Sequence, residues 1–139
     1  MKKVAFRGTL IVIAHTIVLL GHAAAHSHLQ IEPSSRQRAF IAIVIFAAPV
    51  LAALLLWTRW QRSGVTLLGI SLGASLLFGL YDHFVAGGAD SVFNPIHTHW
   101  NIWFGITALL LALVETAGCV WCLGAGRNFW NSGFKAIES

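Results

Sequence analysis

Six of the seven histidines in this 139-residue chain fall at one end of a predicted four-helix bundle. They occur where the first apolar segment ends, where the third ends and where the fourth begins: His22, His26, His28, His83, His97 and His99. In a bundle of antiparallel helices these places share one face, whichever way the bundle is oriented. Imidazole is the commonest side-chain ligand of transition metals and also titrates near neutral pH. The clustering therefore predicts a transition metal site at this face.

The first apolar segment contributes half of these histidines. His22 and His26 form an HxxxH pair, and this spacing lets two imidazoles on one helix face reach a single ion. His15 lies on the same stripe, and His28 follows where the helix is expected to fray. Alternatively, histidines at a membrane interface simply hydrogen-bond to water and lipid headgroups. The grouping of several histidines favours metal or proton chemistry over that alternative.

The third and fourth segments supply the facing residues. A stripe of small residues runs along the third segment toward its end and consists of Ser71, Ser75 and Gly79. Small residues at this spacing allow helices to approach closely in lipid. Asp82 and His83 follow this stripe, and Asp82 is expected either to bind the metal or to orient a ligating imidazole. His97 and His99 form an HxH pair just after Pro95, so either is a candidate ligand if this stretch is extended.

A second polar feature lies deeper in the apolar segments. Glu115 is a lone carboxyl within the apolar run 104–120, and ionisable groups at such depth usually face the protein interior. At the rise of an α-helix, Glu115 and His15 both lie roughly 10–12 Å from the predicted cytoplasmic edge. We therefore predict that they form a buried polar pair, in contact directly or through water. The alternative is a protonated Glu115 that hydrogen-bonds to a backbone carbonyl.

Cys119 and Cys122 form a CxxC motif on the same helix face as Glu115. A CxxC on a membrane helix resembles the motif of the vitamin K epoxide reductases, which are also four-helix bundles. That family has a second cysteine pair in an extracytoplasmic loop, and this chain has no other cysteine. The motif is also predicted near the reducing cytoplasm. Thiols packed as small apolar groups are the favoured interpretation.

The composition indicates how these residues are positioned. The chain is 57% hydrophobic and only 10% charged, which is too apolar for an ordinary soluble domain. A membrane-spanning helix needs about 20 apolar residues, and four stretches qualify: 8–28, 39–60, 65–86 and 98–123. The sequence thus predicts an all-α, integral membrane four-helix bundle formed by residues 1–139 as a single domain. The predicted connections are a polar break at 30–38, a turn at 59–64 and an irregular loop at 86–95.

The basic residues predict the orientation of this bundle. Seven of the nine lie at the end opposite the histidines: Lys2, Lys3, Arg7, Arg59, Arg62, Arg127 and Lys135. By the positive-inside rule both termini are cytoplasmic and the histidine face is extracytoplasmic, in a plasma membrane of bacterial type. Because the net charge of +4 is accounted for by this anchoring pattern, nucleic acid is not an expected partner.

An alternative concerns the first segment. Its basic start, its apolar run and the small residues 23–25 are also typical of a secretory signal with a cleavage site. Cleavage before His26 would leave His-Ser-His as a free N-terminus able to chelate copper. The same charge pattern fits a retained helix.

Three functions are compatible with these patterns. The first is a membrane protein with an extracytoplasmic histidine site for copper, zinc or iron, acting in metal handling or in metal-dependent membrane chemistry. The second is an accessory subunit of a larger membrane complex, or a homo-oligomer, in which the histidines are interfacial. The third is a haem protein in which His15 or His22 pairs with His83 or His99. The sequence does not specify a reaction.

Overall fold

The computed structural model describes residues 2–87, 90–93 and 99–135, and this part of the chain is all-helical. Four long helices follow one another: α1 (Lys2–His28), α2 (Ser35–Leu56), α3 (Gln61–Val85) and α4 (His99–Lys135). Each is long and apolar enough to cross a membrane. The predicted all-α architecture with four apolar helices is therefore confirmed.

Several helix boundaries differ from the predicted spans. The second helix begins four residues before the predicted span 39–60, because Ser34 and Gln37 form a capping box that starts it at Ser35. It also ends four residues before the end of that span, at Leu56. In that box the backbone N–H of Ser34 donates to Oε1 of Gln37 at 2.8 Å. The first and fourth helices extend beyond the spans 8–28 and 98–123, since polar residues continue a helix past its apolar part.

The turn between α2 and α3 comprises residues 57–60 rather than the predicted 59–64. The side chain of Gln61 donates from Nε2 to the carbonyl of Leu56 at 2.9 Å and so satisfies a carbonyl at the end of α2. Gly64 is a helical residue that lies against the backbone of α2. A Cβ at this position would be 3.0 Å from the carbonyl oxygen of Ala52. This glycine is therefore required for close packing and not for a turn.

Replacing Gly64 with alanine is expected to lower the free energy of unfolding by about 2 kcal/mol, because the added methyl group meets backbone atoms that cannot rotate away. Gly124 is the matched control, since it is also helical and has open space where a Cβ would lie. Gly124→Ala is expected to raise stability by up to about 1 kcal/mol through helix propensity. Denaturation of both variants in mixed detergent micelles measures the difference. Equal effects of the two substitutions would contradict the packing assigned to Gly64.

The helices form an antiparallel ring in which each packs against its neighbours in sequence and α4 packs against α1. The ends of the helices show the direction of each one. Position 8, near the start of α1, lies against Leu56 at the end of α2 and against Trp121 in the second half of α4. At the other end of the ring, His22 contacts His83 near the end of α3. The histidine-rich ends of the helices therefore share one face.

Two segments of π-helix interrupt the regular geometry, at Ile41–Ala47 in α2 and Tyr81–Val85 in α3. Pro49 follows the first of them and has no N–H to donate to the carbonyl four residues earlier, which accounts for the widened turn. In the second segment, the N–H of Ala86 donates to the carbonyl of Tyr81 at 2.8 Å, five residues back. Such widened turns occur frequently at functional sites.

The bundle has many apolar side chains on its outside, and several polar side chains are buried within its largely apolar interior. Ile17 and Leu77 are 66% and 71% exposed, as are many other large apolar residues. Where the structure describes burial, the buried polar residues are His15, His22, Gln61, Ser71, Ser75, His83, Thr107 and Glu115. A contiguous apolar exterior is unfavourable in water and is what a hydrocarbon environment requires.

Candidate metal centre

Three histidines from two helices converge at one end of the bundle. His22 and His26 lie one turn apart on α1, and His83 lies in the π segment that ends α3. One ring nitrogen of each can be chosen so that all three atoms lie within 4.8 Å of one another. Nε2 of His22 and Nε2 of His83 are 3.1 Å apart. A group of this kind could hold one metal ion.

The hydroxyl of Thr107 orients the ring of His22. Its oxygen is 2.9 Å from the carbonyl of Trp103 and 3.0 Å from that of Phe104, so its hydrogen is directed to the backbone of its own helix. The same oxygen lies 2.9 Å from Nδ1 of His22 and, in that arrangement, accepts the Nδ1 hydrogen. His22 then has its lone pair on Nε2, the atom that faces His83.

His83 has the same tautomer, with its hydrogen on Nδ1. Its Nδ1 is 3.0 Å from the backbone carbonyl of Asp90, and a carbonyl can only accept. The Nδ1 atom therefore carries the hydrogen, and the lone pair lies on Nε2. Two imidazole lone pairs that face each other at 3.1 Å repel unless a cation lies between them or beside them. This arrangement suits a metal ion that both Nε2 atoms bind.

In the other tautomer of His22, a hydrogen on Nε2 takes the place of the metal ion between the rings of His22 and His83. If Thr107 donates to Nδ1 of His22, then the Nε2 hydrogen of His22 points to Nε2 of His83. The chain of hydrogen bonds is then complete, and His22 has no lone pair for an ion. The metal-binding state and the proton-bridged state therefore differ in the direction of the hydrogen bond between Thr107 and His22: Thr107 accepts in the first and donates in the second.

His26 completes the group together with a nearby carboxylate. Its Nδ1 lies 3.3 Å from the carbonyl of Ile31, so Nδ1 is again the donor and Nε2 is free to bind an ion. Nε2 lies 3.4 Å from Oδ1 of Asp90, which is also 3.5 Å from Nδ1 of His83. Within the described residues, this buried oxygen has no hydrogen-bond partner. Asp90 is therefore placed either to be a further ligand or to balance the charge of an ion.

The ring of Phe104 forms an apolar wall beside the three imidazoles. It stacks on His22 with 4.8 Å between ring centroids, and its centroid is 5.1 Å from those of both His26 and His83. Phe104 is itself buried. An apolar wall of this kind limits the access of water to the imidazoles and lowers the local dielectric constant.

The other predicted ligands that the structure describes are not members of this three-histidine group. His28 is exposed and stacks on Trp100 with 3.7 Å between ring centroids, and His99 is exposed at the start of α4. Asp82 does not belong to the three-histidine group. Its Oδ2 atom is buried and has no hydrogen-bond partner among the described residues. His97 lies outside the residues that the structure describes.

Three residues of this centre were not identified from the sequence: Phe104, Thr107 and Asp90. Thr107 is a hydroxyl within an apolar run, eight residues before Glu115, and its polarity was an available signal. Asp90 lies in the predicted loop that follows α3, where a carboxylate close in sequence to His83 was a second signal. The N–H of Val92 donates to the carbonyl of His83 at 3.0 Å, and this contact brings the segment beside the histidines. Nothing in the sequence distinguished Phe104 from the other apolar residues of α4.

The second predicted feature, the pair of His15 and Glu115, lies in the interior of the bundle. Nε2 of His15 is 3.2 Å from Oε1 of Glu115, and both side chains are almost fully buried. The hydroxyl of Ser75 donates to the same oxygen of Glu115. Glu115 is thus held by one side chain from α1 and one from α3, so that this carboxyl links three helices.

The cysteines pack against the glycines of α3. A Cβ at Gly69 would lie 3.2 Å from Cβ of Cys122, and one at Gly73 would lie 3.8 Å from Sγ of Cys119. Both cysteines are free thiols, and Cys122 is buried. Their position against a GxxxG sequence is that of small apolar groups at a close contact between two helices.

The fold and the site define an all-helical protein with four helices apolar enough to cross a membrane and an internal three-histidine group that could hold a metal ion. Comparisons with protein-family models, with curated proteins and with solved structures found no match. The chemistry of the site is therefore the basis on which a function is assigned.

Proposed function

We propose that this chain is an integral membrane protein in which His22, His26 and His83 bind one transition metal ion, and that it acts in metal handling or in metal-dependent membrane chemistry. The observation that carries this proposal is the convergence of three ring nitrogens within 4.8 Å. It is supported by the partners of the three Nδ1 atoms, which leave the Nε2 lone pairs available for an ion.

The donor set restricts the metal. Three imidazoles with a neighbouring carboxylate suit copper(II), zinc or iron, whereas thioether-rich sites select copper(I). Met1 is the only methionine in the chain, so a thioether relay for copper(I) is not expected. Three protein ligands with a further position open to a small molecule are typical of catalytic zinc sites, whereas structural sites are closed by four.

The proposed orientation in the membrane follows from the basic residues. α1 begins and α4 ends at the end of the bundle away from the histidines, and most basic residues lie in those parts of the chain. By the positive-inside rule this end faces the cytoplasm. Both termini are then cytoplasmic, and the metal centre is reached from the extracytoplasmic side.

The packing around the histidines favours an ion over haem. The ring centroids of His22 and His83 are only 4.9 Å apart, and the rings of Phe104 and His26 flank them at similar distances. A porphyrin between two axial histidines needs a flat slot much wider than an ion does. Binding of haem here would require these four rings to separate.

The proposal is tested by elemental analysis of the protein purified in detergent without a histidine tag, after incubation with copper(II), zinc or iron(II) and removal of the excess. We expect about one ion per chain, and we expect it to be released at acidic pH because imidazole must be neutral to bind a metal. A sharp visible haem band would select the haem alternative. No retained metal would contradict the proposal and favour an accessory subunit whose histidines are structural.

Replacing Thr107 with valine is expected to weaken metal binding by about tenfold or more, since loss of an outer-shell partner of a ligating histidine typically has this effect. Valine has the same shape but cannot accept the Nδ1 hydrogen of His22. Thr107→Ser keeps the hydroxyl and is expected to retain near-normal affinity. Competition with a chromophoric chelator measures both variants. Unchanged affinity in the valine variant would exclude the metal-binding tautomer assigned to His22.

A further inference from the structure

A large cavity opens beside the metal centre. Its volume is about 1160 Å³, which is at or above the upper end of the range for pockets that bind small organic molecules. His22, His26 and His83 line it at one end, and Ser75 and Glu115 line it deeper in the bundle. Glu115 follows Thr107, the partner of His22, by eight residues on α4, so the cavity runs about 12 Å along the helices at the rise of an α-helix. Neither a metal ion nor a proton path needs this much space.

The helices are less closely packed where the cavity lies. Contacts between α1 and α2 are concentrated in the residues Ala48–Leu56, at the end away from the histidines. At the histidine end, the π segment Ile41–Ala47 packs against α3. Side chains from that segment and from α1 line the cavity, among them Ile45, Phe46 and Ala23. α1 and α2 therefore form its two sides, and α3 and α4 form its floor.

The chemistry of the lining changes along the cavity. Gln37 and Arg38, at the start of α2, line it at the histidine end together with the three imidazoles and the carboxylates of Glu32 and Asp90. Between these polar groups and Glu115 the walls are formed mostly by aliphatic and aromatic side chains, such as Leu76 and Leu111. A mostly apolar cavity with a few convergent polar groups is typical of a site for an organic ligand.

We infer that this cavity binds an amphipathic molecule from the membrane, consisting of a hydrocarbon chain and an oxygen-bearing head (a hydroxyl, aldehyde or carboxyl group). The chain lies between α1 and α2 against the π segment, and the head lies at His22, His26 and His83. Entry is sideways from the bilayer, through the gap between the two helices. The aliphatic lining solvates the chain, and Arg38 and the imidazoles supply the polar contacts of the head.

The inference deepens the proposed function, and only the position of the head rests on it. A metal ion held by three imidazoles accepts an oxygen ligand at its open position, and the head of such a molecule supplies one. The affinity of the cavity for the chain comes from apolar burial and does not require a metal. The two proposals can therefore fail separately.

The test uses the full chain in nanodiscs with a photoactivatable diazirine analogue of hexadecanol, and identifies the labelled peptides by mass spectrometry. We expect label on α1 and α2 at residues that line the cavity, and we expect excess unlabelled hexadecanol to compete with it. Parallel labelling with the corresponding carboxylic acid and with the corresponding alkane distinguishes the possible heads. Preference for either oxygenated probe over the alkane supports the inference, whereas equal labelling by all three overturns the assignment of a polar head.

Ala112 and Ala117 provide a matched pair of variants on α4. Ala112 lines the cavity, whereas Ala117 is exposed on the outside of the helix. Ala112→Phe fills the cavity and is expected to reduce the competed labelling about tenfold, as displacement of a ligand from its pocket requires. Ala117→Phe is expected to leave it unchanged. Equal labelling of the two variants, or label that hexadecanol does not displace, would show only annular lipid and overturn the inference.

Metal content is measured on the same samples. Ala112→Phe is expected to keep its metal, because the substituted side chain is not one of the imidazoles or their partners. Competed label in a wild-type chain that retains no metal would support the cavity site and contradict the proposed function. Retained metal without competed label would contradict the cavity site alone.

Discussion

Replacing His22 with alanine is expected to lower the affinity for the metal by more than about 100-fold, the upper end of what loss of an outer-shell partner causes. His22 is the central member of the group. Its ring lies 4.8 Å from that of His26 and 4.9 Å from that of His83, measured between centroids. Its removal leaves two imidazoles, too few to hold an ion tightly. Competition with a chromophoric chelator at neutral pH gives the change in affinity.

His28→Ala is the matched control for this prediction. His28 belongs to the same helix and lies close in sequence to His26, but it is exposed and stacks on Trp100. Its replacement is expected to change the affinity by less than about twofold, well below the effect of losing even an outer-shell partner. Because His22 is buried, its removal also affects folding, so His26→Ala serves as a second variant at a more accessible position. Equal losses in the His22 and His28 variants would show that the metal binds elsewhere.

Replacing Glu115 with alanine is expected to lower the free energy of unfolding by about 3 kcal/mol, since it leaves two buried polar partners unsatisfied. Those partners are His15 and Ser75, both of which are almost fully buried. Unfolding by a denaturing detergent in mixed micelles measures the loss.

Thr116→Ala is the control, because Thr116 is the next residue on α4, is exposed and donates to the carbonyl of Ala112 within its own helix. Its removal is expected to change stability by less than about 0.5 kcal/mol, as for most surface substitutions. Combining His15→Ala with Glu115→Ala gives a double-mutant cycle. A coupling energy near zero would mean that the contact between the two side chains does not contribute to stability.

The depth of His15 and Glu115 was predictable from the sequence, whereas the hydrogen bond from Ser75 to Glu115 was not. Counting residues from the ends of two apolar runs places His15 and Glu115 at a similar level, because the rise per residue of a helix is constant. The structure has them in contact at 3.2 Å. Ser75 belonged to a predicted stripe of small residues, but its bond to Glu115 depends on how α3 is rotated about its axis.

The sequence also predicted which end of the bundle is rich in histidine, but it did not predict which of the candidate ligands converge. Of the seven candidate ligands, the structure groups His22, His26 and His83. His28 and His99 lie at the same end but are exposed. The position of a residue along its helix sets its depth in the bundle. The rotation of that helix about its axis decides whether the side chain points into the bundle or away from it. Asp90 lies beside the histidines through a loop that no helical periodicity describes.

The sequence by itself determined that the chain forms four apolar helices and that six of the seven histidines are expected at one end of them. Both properties are local: the length and hydropathy of each segment and the alternation of helix direction suffice. The tertiary structure alone decided which imidazoles converge, which hydroxyl and carbonyls hold their Nδ1 atoms, and that α1 and α2 separate around a cavity. These features depend on the rotation of each helix and on the widened turn before Pro49. They arise from the simultaneous packing of all four helices, which no single segment of the sequence contains.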